Sequence, residues 1–266
     1  MAEWIVLGAG AILPRAGYGC SGHALARAGR KLVLFDCGPG TLRSLGEAGF
    51  GVGDIGAVVL SHFHPDHCWD LFALAFARRN PDTLAGHLEL VGPEGLHELL
   101  ERAGAVFGAQ GWVRFEDVTV REVEPRALGR WIELDGLKLA WRATGHTPHA
   151  LCWRVELGNG LSVTYSGDSG ESAELAALAR GSSVLVCECS FEEERAMEHH
   201  LTPSGAARIA LDAGVGKLVL THFYPSLDPA LAAERAAAVF PGPIELSRDR
   251  SRHALAQAHS EPTLRS

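Results

Sequence analysis

The sequence predicts an α+β protein in which helices pack against β-sheets, and three observations carry that prediction. Short, β-branched and apolar runs recur early, at 4–8, 22–28, 31–36 and 57–60, with glycine-rich turns among them. A second set lies at 131–134, 137–144, 150–157 and 161–166, divided by Asp135-Gly136 and Gly158-Asn159-Gly160, which suit tight hairpin turns. Helical and strand patterns then alternate: helix 171–180, strand 183–188, helix 203–213, strand 217–221 and helix 228–238. Such alternation implies helices laid on a sheet.

Taken in order, Trp4-Ile5-Val6-Leu7-Gly8-Ala9-Gly10 is a strand entering a glycine turn, and 31–36 is a strand that ends on Asp36. A dinucleotide-binding fingerprint is excluded here. Its third glycine would fall on Leu13, followed by Pro14, and 15–22 is turn-rich where a crossover helix should stand. A hairpin turning at Ala28-Gly29-Arg30 fits instead. Asp36-Cys37-Gly38-Pro39-Gly40 reads as a tight turn into helix 41–48, followed further on by helix 69–79, strand 87–91 and helix 93–103. Residues 104–130, with Phe107, Trp112 and Phe115, take no assignment; they either cover a site or pack on the flank. Residues 1–247 are expected to form a single domain. Residues 248–266, which contain Arg248, Arg250, Arg252, Pro262 and Arg265, are expected to be a mobile or loosely docked tail, with His253 and His259 solvated. No repeat of fixed period is visible at the level of motifs.

The chain of 266 residues is 47% hydrophobic and 21% charged, the composition of an ordinary globular protein with room for a large core. A net charge of -8, with lysine confined to Lys31, Lys138 and Lys217, opposes nucleic acid and anionic membranes, and no dense basic run offsets it. The six cysteines lack CxxC spacing and read as reduced, mostly buried thiols. Met1-Ala2-Glu3-Trp4 lacks a signal peptide's basic start, and no apolar run approaches a membrane span. A cytoplasmic location is expected.

The chemistry is concentrated in Ser61-His62-Phe63-His64-Pro65-Asp66-His67, between an apolar strand and a helix. Three imidazoles and a carboxylate beside a buried strand are costly to desolvate one by one, and metal ligation satisfies them together. His62 and His64, two apart in extended chain, point to one side; Asp66 and His67 open the helix and address a second point. That arrangement suits two neighbouring ions. Three further candidates, His146, Asp168 and His222, lie at the ends of later strands. Asp36 also follows a strand. Its carboxylate is expected to accept bonds from its own turn, with support of a metal ligand as the second reading.

The order His62-x-His64-x-Asp66-His67, His146, Asp168, His222 resembles the metallo-β-lactamase fold superfamily, over nearly the whole chain from Trp4 to about Leu246. Its ribonuclease Z-like branch is the closest pattern. Leu7-Gly8-Ala9-Gly10 with Pro14 is similar to that branch's opening motif, as is Phe35-Asp36-Cys37-Gly38-Pro39-Gly40-Thr41, with Pro39 where an acid is commoner. The resemblance implies a four-layer αββα sandwich. It implies two divalent ions, zinc first, with manganese or iron also suited to such donors. His62, His64 and His146 would hold the first ion, Asp66, His67 and His222 the second, with Asp168 between them. Homodimers are frequent among relatives.

The same resemblance places His200 where the family carries a histidine that reaches the scissile phosphate, so His200 is a candidate general acid. The alternative is a surface histidine ahead of a helix capped by Thr202 and Pro203. His199 reads as a surface residue, His149 as possible support for a ligand, Tyr224 as pocket lining and Phe223 as lining or core. The implied enzyme is a binuclear metal-dependent hydrolase in which a hydroxide between the ions, oriented by Asp66 or Asp168, attacks while His200 protonates the leaving group. No covalent intermediate is expected.

Transfer-RNA processing members of the branch carry a long arm between the third histidine motif and the bridging aspartate. Here Asp168 follows His146 by 22 positions, room for a hairpin. With the net charge of -8, this favours a small or cyclic phosphodiester over structured RNA. The alternatives are a ribonuclease Z-type tRNA 3′-end endonuclease, or a lactonase, carboxylic-ester or thioester hydrolase on the same fold. A di-iron redox protein is disfavoured because such sites put glutamate where His64 stands. A non-catalytic relic is disfavoured because all seven ligand positions are filled.

Overall fold

The computed structural model describes residues 2–107, 113–158 and 160–255; Trp112, Asn159, His259, Pro262 and Arg265 lie outside them. Its first half runs β1 (Ala2–Gly8), β2 (Gly22–Arg27), β3 (Leu32–Cys37), α1 (Thr41–Glu47), β4 (Ile55–Val59), α2 (Pro65–Cys68), α3 (Asp70–Ala77), β5 (Leu88–Pro93), α4 (Leu96–Val106) and β6 (Val118–Val123). The second half runs β7 (Trp131–Leu134), β8 (Leu137–Ala143), β9 (Leu151–Gly158), β10 (Leu161–Tyr165), α5 (Ala173–Ala179), β11 (Val184–Glu188), α6 (Pro203–Ala213), β12 (Leu218–Thr221), α7 (Pro229–Ala237), β13 (Ile244–Leu246) and β14 (Arg252–Leu255).

Two seven-stranded sheets result, in the orders β14-β1-β2-β3-β4-β5-β6 and β13-β12-β11-β10-β9-β8-β7. Each is antiparallel along one side and parallel from β3 to β6 or from β10 to β13. Strand periodicity decides which face is which. Val33 and Phe35 turn into a core shared with Trp141, Trp153 and Val186 of the other sheet, while Leu32 and Leu34 pack outward with Leu45, Leu71 and Leu96 of the helices. The outer face of the second sheet is covered by Leu175, Ala206, Ile209 and Ala232 of α5 to α7. These layers make the αββα sandwich. Fully buried side chains such as Trp4, Phe35 and Trp153 each contribute roughly 1.5–3 kcal/mol relative to exposure.

Within the unassigned stretch, β6 pairs in parallel with β5, and Phe115 packs against α3 and α4 on the flank. Phe107 and Val113 line a groove of about 440 Å³ with Trp69, Phe72 and Phe76. The expectation of a loose tail from residue 248 is corrected for 248–255. Arg252–Leu255 closes the first sheet as β14, antiparallel to β1, and Arg252 pairs with Glu3 at 2.5 Å. A polar-looking stretch conceals a half-buried strand: His253 and Leu255 point inward, so His253 is buried and bonded to Glu245 rather than solvated. Residues 256–266 lie outside the described set. No helix among the described residues is long and apolar enough to cross a membrane.

Between the sheets, Trp4 Nε1 donates to His23 Nδ1 at 3.2 Å, which leaves the ring's proton on a buried, unpartnered Nε2. Burial, with the charges of His67 and His222 adding, lowers the His23 pKa to about 3. Below the ordinary histidine pKa of 6.5 the unfolded chain therefore takes a proton that the folded protein refuses. Stability contributed by neutral His23 is complete above that value and is lost as the pH falls toward 3. Between pH 6.5 and 5 the loss is about 2 kcal/mol. Urea unfolding at pH 7 and pH 5 should show a smaller difference in His23→Leu than in the parent; an equal difference would show that His23 does not carry this acid sensitivity.

Candidate metal centre

The site stands at the C-terminal ends of parallel strands, where main chain must leave the sheet. After β4 the chain carries Ser61 and His62, then His64 in extended conformation, then Pro65 at the first turn of α2. Proline has no N–H to lose there and its fixed φ starts the helix, so Asp66 and His67 are presented from the first turn. The other sheet anchors this loop: Leu60 O accepts from Trp153 Nε1 at 3.1 Å and Ser61 O from Leu151 N at 2.9 Å. Close approach also demands glycine. A Cβ on Gly38 would lie 1.9 Å from Asp66 O, and Gly167, at φ +54°, would place one 2.7 Å from Ser61 Cβ.

All seven sequence-derived candidates converge. His62, His64, His146 and Asp168 can each bring a donor atom within 4.8 Å of the others, and so can Asp66, His67 and His222. Asp168 lies between the two groups. Its Oδ2 is 3.6 Å from His146 Nε2 and 3.9 Å from His62 Nε2, while Oδ1 is 3.2 Å from His67 Nε2 and 3.4 Å from His222 Nε2. Asp66 Oδ2 is 3.6 Å from His222 Nε2.

The remaining ring nitrogens fix the tautomers. His67 Nδ1 faces Asp36 Oδ2 at 2.7 Å, and His146 Nδ1 faces the carbonyl of His199 at 2.8 Å; both acceptors require the proton on Nδ1. Their bare Nε2 atoms turn inward, to within 3.3 Å of His222 Nε2 and 3.2 Å of His64 Nδ1 respectively. Either a proton on the facing ring or a cation between the two satisfies such a pair. Two buried atoms, His62 Nε2 and Asp168 Oδ1, have no hydrogen-bond partner, a state that costs about 1–3 kcal/mol each. A divalent ion in each group satisfies all of these atoms, so the residues fit the metal.

The electrostatics agree. Burial opposes charge on His67, yet Asp168 and Asp36 together raise its pKa well above the usual histidine value. Burial likewise opposes charge on Asp168, and His222 and His67 outweigh it, holding the carboxyl well below its usual range. In His62, burial wins and the pKa is lowered. Without a metal the ionised Asp168 is balanced by a proton on His67, a positive charge at the place where a bound cation would sit.

The expectation that Asp36 accepts bonds from its own turn is corrected: it faces the histidine loop. Its carboxylate accepts from Ser61 N at 2.7 Å, Ser61 Oγ at 2.8 Å and Tyr165 OH at 2.6 Å as well as His67. At φ 59° its backbone is in the left-handed region, as is that of His222 at φ 61°. Glu188, Ser190 and Tyr165 have parts that the sequence reading did not assign. The available signal is an apolar strand closed by an acid, which Glu188 shares with Asp36. Glu188 is buried and takes His200 Nδ1 at 3.0 Å, Ser169 N at 2.8 Å and Leu201 N at 3.2 Å. Burial works against charge on His200, but Glu188 prevails and its pKa is raised.

His200 reaches the site, its ring 4.7 Å from that of His146 and stacked 6.0 Å from that of His222. Thr202 caps the following helix, accepting from Gly205 N at 3.2 Å, but His200 is not the surface residue of the alternative reading, its side chain being only 11% exposed. His199 and His149 are exposed. Phe223 is core, and Tyr224 is half-buried beside His200 and His222.

The sequence model of the β-lactamase superfamily domain matches residues 31–223. A Ribonuclease Z from Mycobacterium sp. (strain KMS) is 34% identical over 94% of this chain and 94% of its own. The metallo-β-lactamase fold protein YhfI from Bacillus subtilis superposes with TM-score 0.82 at 22% identity, over 94% of this chain and 98% of its own. A diphosphatase of the PhnP family superposes with TM-score 0.71 at 21% identity, over 97% and 99%. The chain belongs to the β-lactamase superfamily, in its metallo-β-lactamase fold and ribonuclease Z-like branch, and is a metal-dependent hydrolase of ester bonds.

Asp36→Ala should lower the affinity for divalent metal by about 10–100-fold, because His67 loses its orienting acceptor. Competition against a chelator measures this; an unchanged affinity would reduce Asp36 to a packing residue.

Proposed function

We propose that the protein is a binuclear metal-dependent phosphodiesterase acting on a small or cyclic phosphodiester. The observation that carries this reading is Asp168, which turns one oxygen to each of two ligand groups. His62, His64 and His146 would hold one ion, Asp66, His67 and His222 the other, and Asp168 both, with zinc, manganese or iron suited to these donors. Bound there, divalent ions supply Lewis-acid polarisation of the phosphoryl group and a lowered pKa for water. Asp66 or Asp168 orients the attacking water and takes up its one proton. His200, with Nδ1 held by Glu188, presents Nε2 to protonate the departing oxygen as the P–O bond breaks. The products are a phosphomonoester and an alcohol, and no side chain forms a covalent bond.

The substrate class rests on shape and charge. Between His146 and Asp168 the chain folds as the antiparallel pair of β9 and β10, which leaves no room for a long arm. A cavity of about 540 Å³ that includes His200 is lined by Glu171, Glu193 and Glu198 together with Arg208. This cavity meets the site through His200 alone, and Glu171 and Glu193 are paired with Arg208 and Arg235, so the argument against a polyanion rests on the net charge of -8. A second reading, a tRNA 3′-end endonuclease, is supported by the 34% identity to a Ribonuclease Z. The six cysteines are free thiols, which supports a cytoplasmic location.

The decisive experiment pairs elemental analysis of protein purified without chelator with hydrolysis of bis(p-nitrophenyl) phosphate and of precursor tRNA. About two ions per chain with metal-dependent turnover of the small ester is the expected result; cleavage of precursor tRNA alone would establish the second reading, and no stoichiometric metal would overturn both. Asp168→Ala should abolish hydrolysis and retain one ion or none. His200→Ala should keep its metal and turn over about 10²–10⁴-fold more slowly, the usual contribution of a placed proton donor; unchanged kinetics would remove His200 from the mechanism.

A further inference from the structure

Two hydrogen-bond relays of the same design back the two ligand groups. In one, Asp36 Oδ2 is 2.8 Å from Ser61 Oγ, which is 2.9 Å from His62 Nδ1. In the other, Glu188 Oε2 is 2.5 Å from Ser190 Oγ, which is 3.0 Å from His222 Nδ1. Each carboxylate also holds a second histidine directly, Asp36 taking His67 and Glu188 taking His200. Ser190 and Glu188 are buried, so water does not compete for these bonds.

We infer that Ser190 is a positioning residue for the second ligand group, holding His222 as the Nδ1–H tautomer so that its Nε2 lone pair faces Asp66, His67 and Asp168. The argument is proton accounting. A serine hydroxyl has one proton to give and two lone pairs with which to accept. Glu188 already takes main-chain N–H groups on both oxygens, from Ser169 and Leu201, and acts as an acceptor throughout. Ser190 gives its proton to Glu188. Toward His222 it can then only accept, and Nδ1 must carry the hydrogen. The same hydroxyl lies 3.4 Å from the carbonyl oxygen of His222, beside a residue whose φ of 61° is costly for a side chain with a Cβ. Ser61 is placed in the same way between Asp36 and His62 Nδ1.

The inference rests on the reading of His222 as a metal ligand, and two measurements separate the one from the other. Nitrogen-15 NMR of the metal-free parent, with His222 assigned by His222→Gln, should show Nδ1–H; a parent found as the Nε2–H tautomer overturns the relay whether or not any variant folds. Titration with zinc against a competing chelator then tests the consequence. Ser190→Ala should weaken the second ion by about 10–100-fold while the first binds as in the parent. Ser190→Thr, which keeps the hydroxyl, should restore it, and Ser61→Ala should weaken the first ion instead. A Ser190→Ala protein with parental affinity for both ions and a parental tautomer overturns the inference. A parent that binds no second ion overturns the ligand reading alone, since the tautomer is measured without metal.

Discussion

One buried carboxylate holds the centre of this molecule together. Asp36 receives bonds from the main chain and hydroxyl of Ser61, from His67 and from Tyr165 across the inter-sheet core. An unpaired charge at that depth would be expensive, so the surrounding groups and the carboxylate enforce one another's positions. The left-handed backbone of Asp36 and the glycine that lets Gly38 lie against Asp66 follow from the same demand for closeness. The two sheets are thereby locked at the point where their strand ends supply donors.

The architecture explains why donors so far apart in sequence meet. Each sheet has an antiparallel side and a parallel side, and every site residue except His146, which stands between the antiparallel β8 and β9, comes from the parallel side. Asp36 ends β3, Ser61 to His67 follow β4, Asp168 follows β10, Glu188 and Ser190 close β11, and His222 follows β12. Parallel strands discharge their chains at a common edge, where turns and helix starts leave polar groups free to converge. No repeat of fixed period is visible in the sequence because this correspondence is one of topology, carried by strand order rather than by residue identity.

What was legible follows from how local each signal is. Ser61 to His67 spells out its ligands in one short stretch, and the strands and helices around it show clear periodicity. His146, Asp168 and His222 stand alone among ordinary residues, and family resemblance was needed to join them to that stretch. The choice between the two readings of Asp36, and any part for Glu188, could not be made from sequence because a strand-ending acid looks the same whether it caps a turn or supports a histidine. β14 was hidden because only two of its residues turn inward, beneath arginines that advertise solvent.

The pairing of β14 with β1 has a consequence for how the protein is made. Glu3 and Arg252, joined across these strands, are 249 positions apart, so β1 emerges long before its partner β14. Until then β1 is an open edge with unpaired main-chain groups, a template for unwanted pairing with another nascent chain. Closing so long a loop is slow. Assembly of the hydrolytic centre can therefore precede the sealing of the sheet that carries half of it, and the edge of β1 stays open until β14 has emerged.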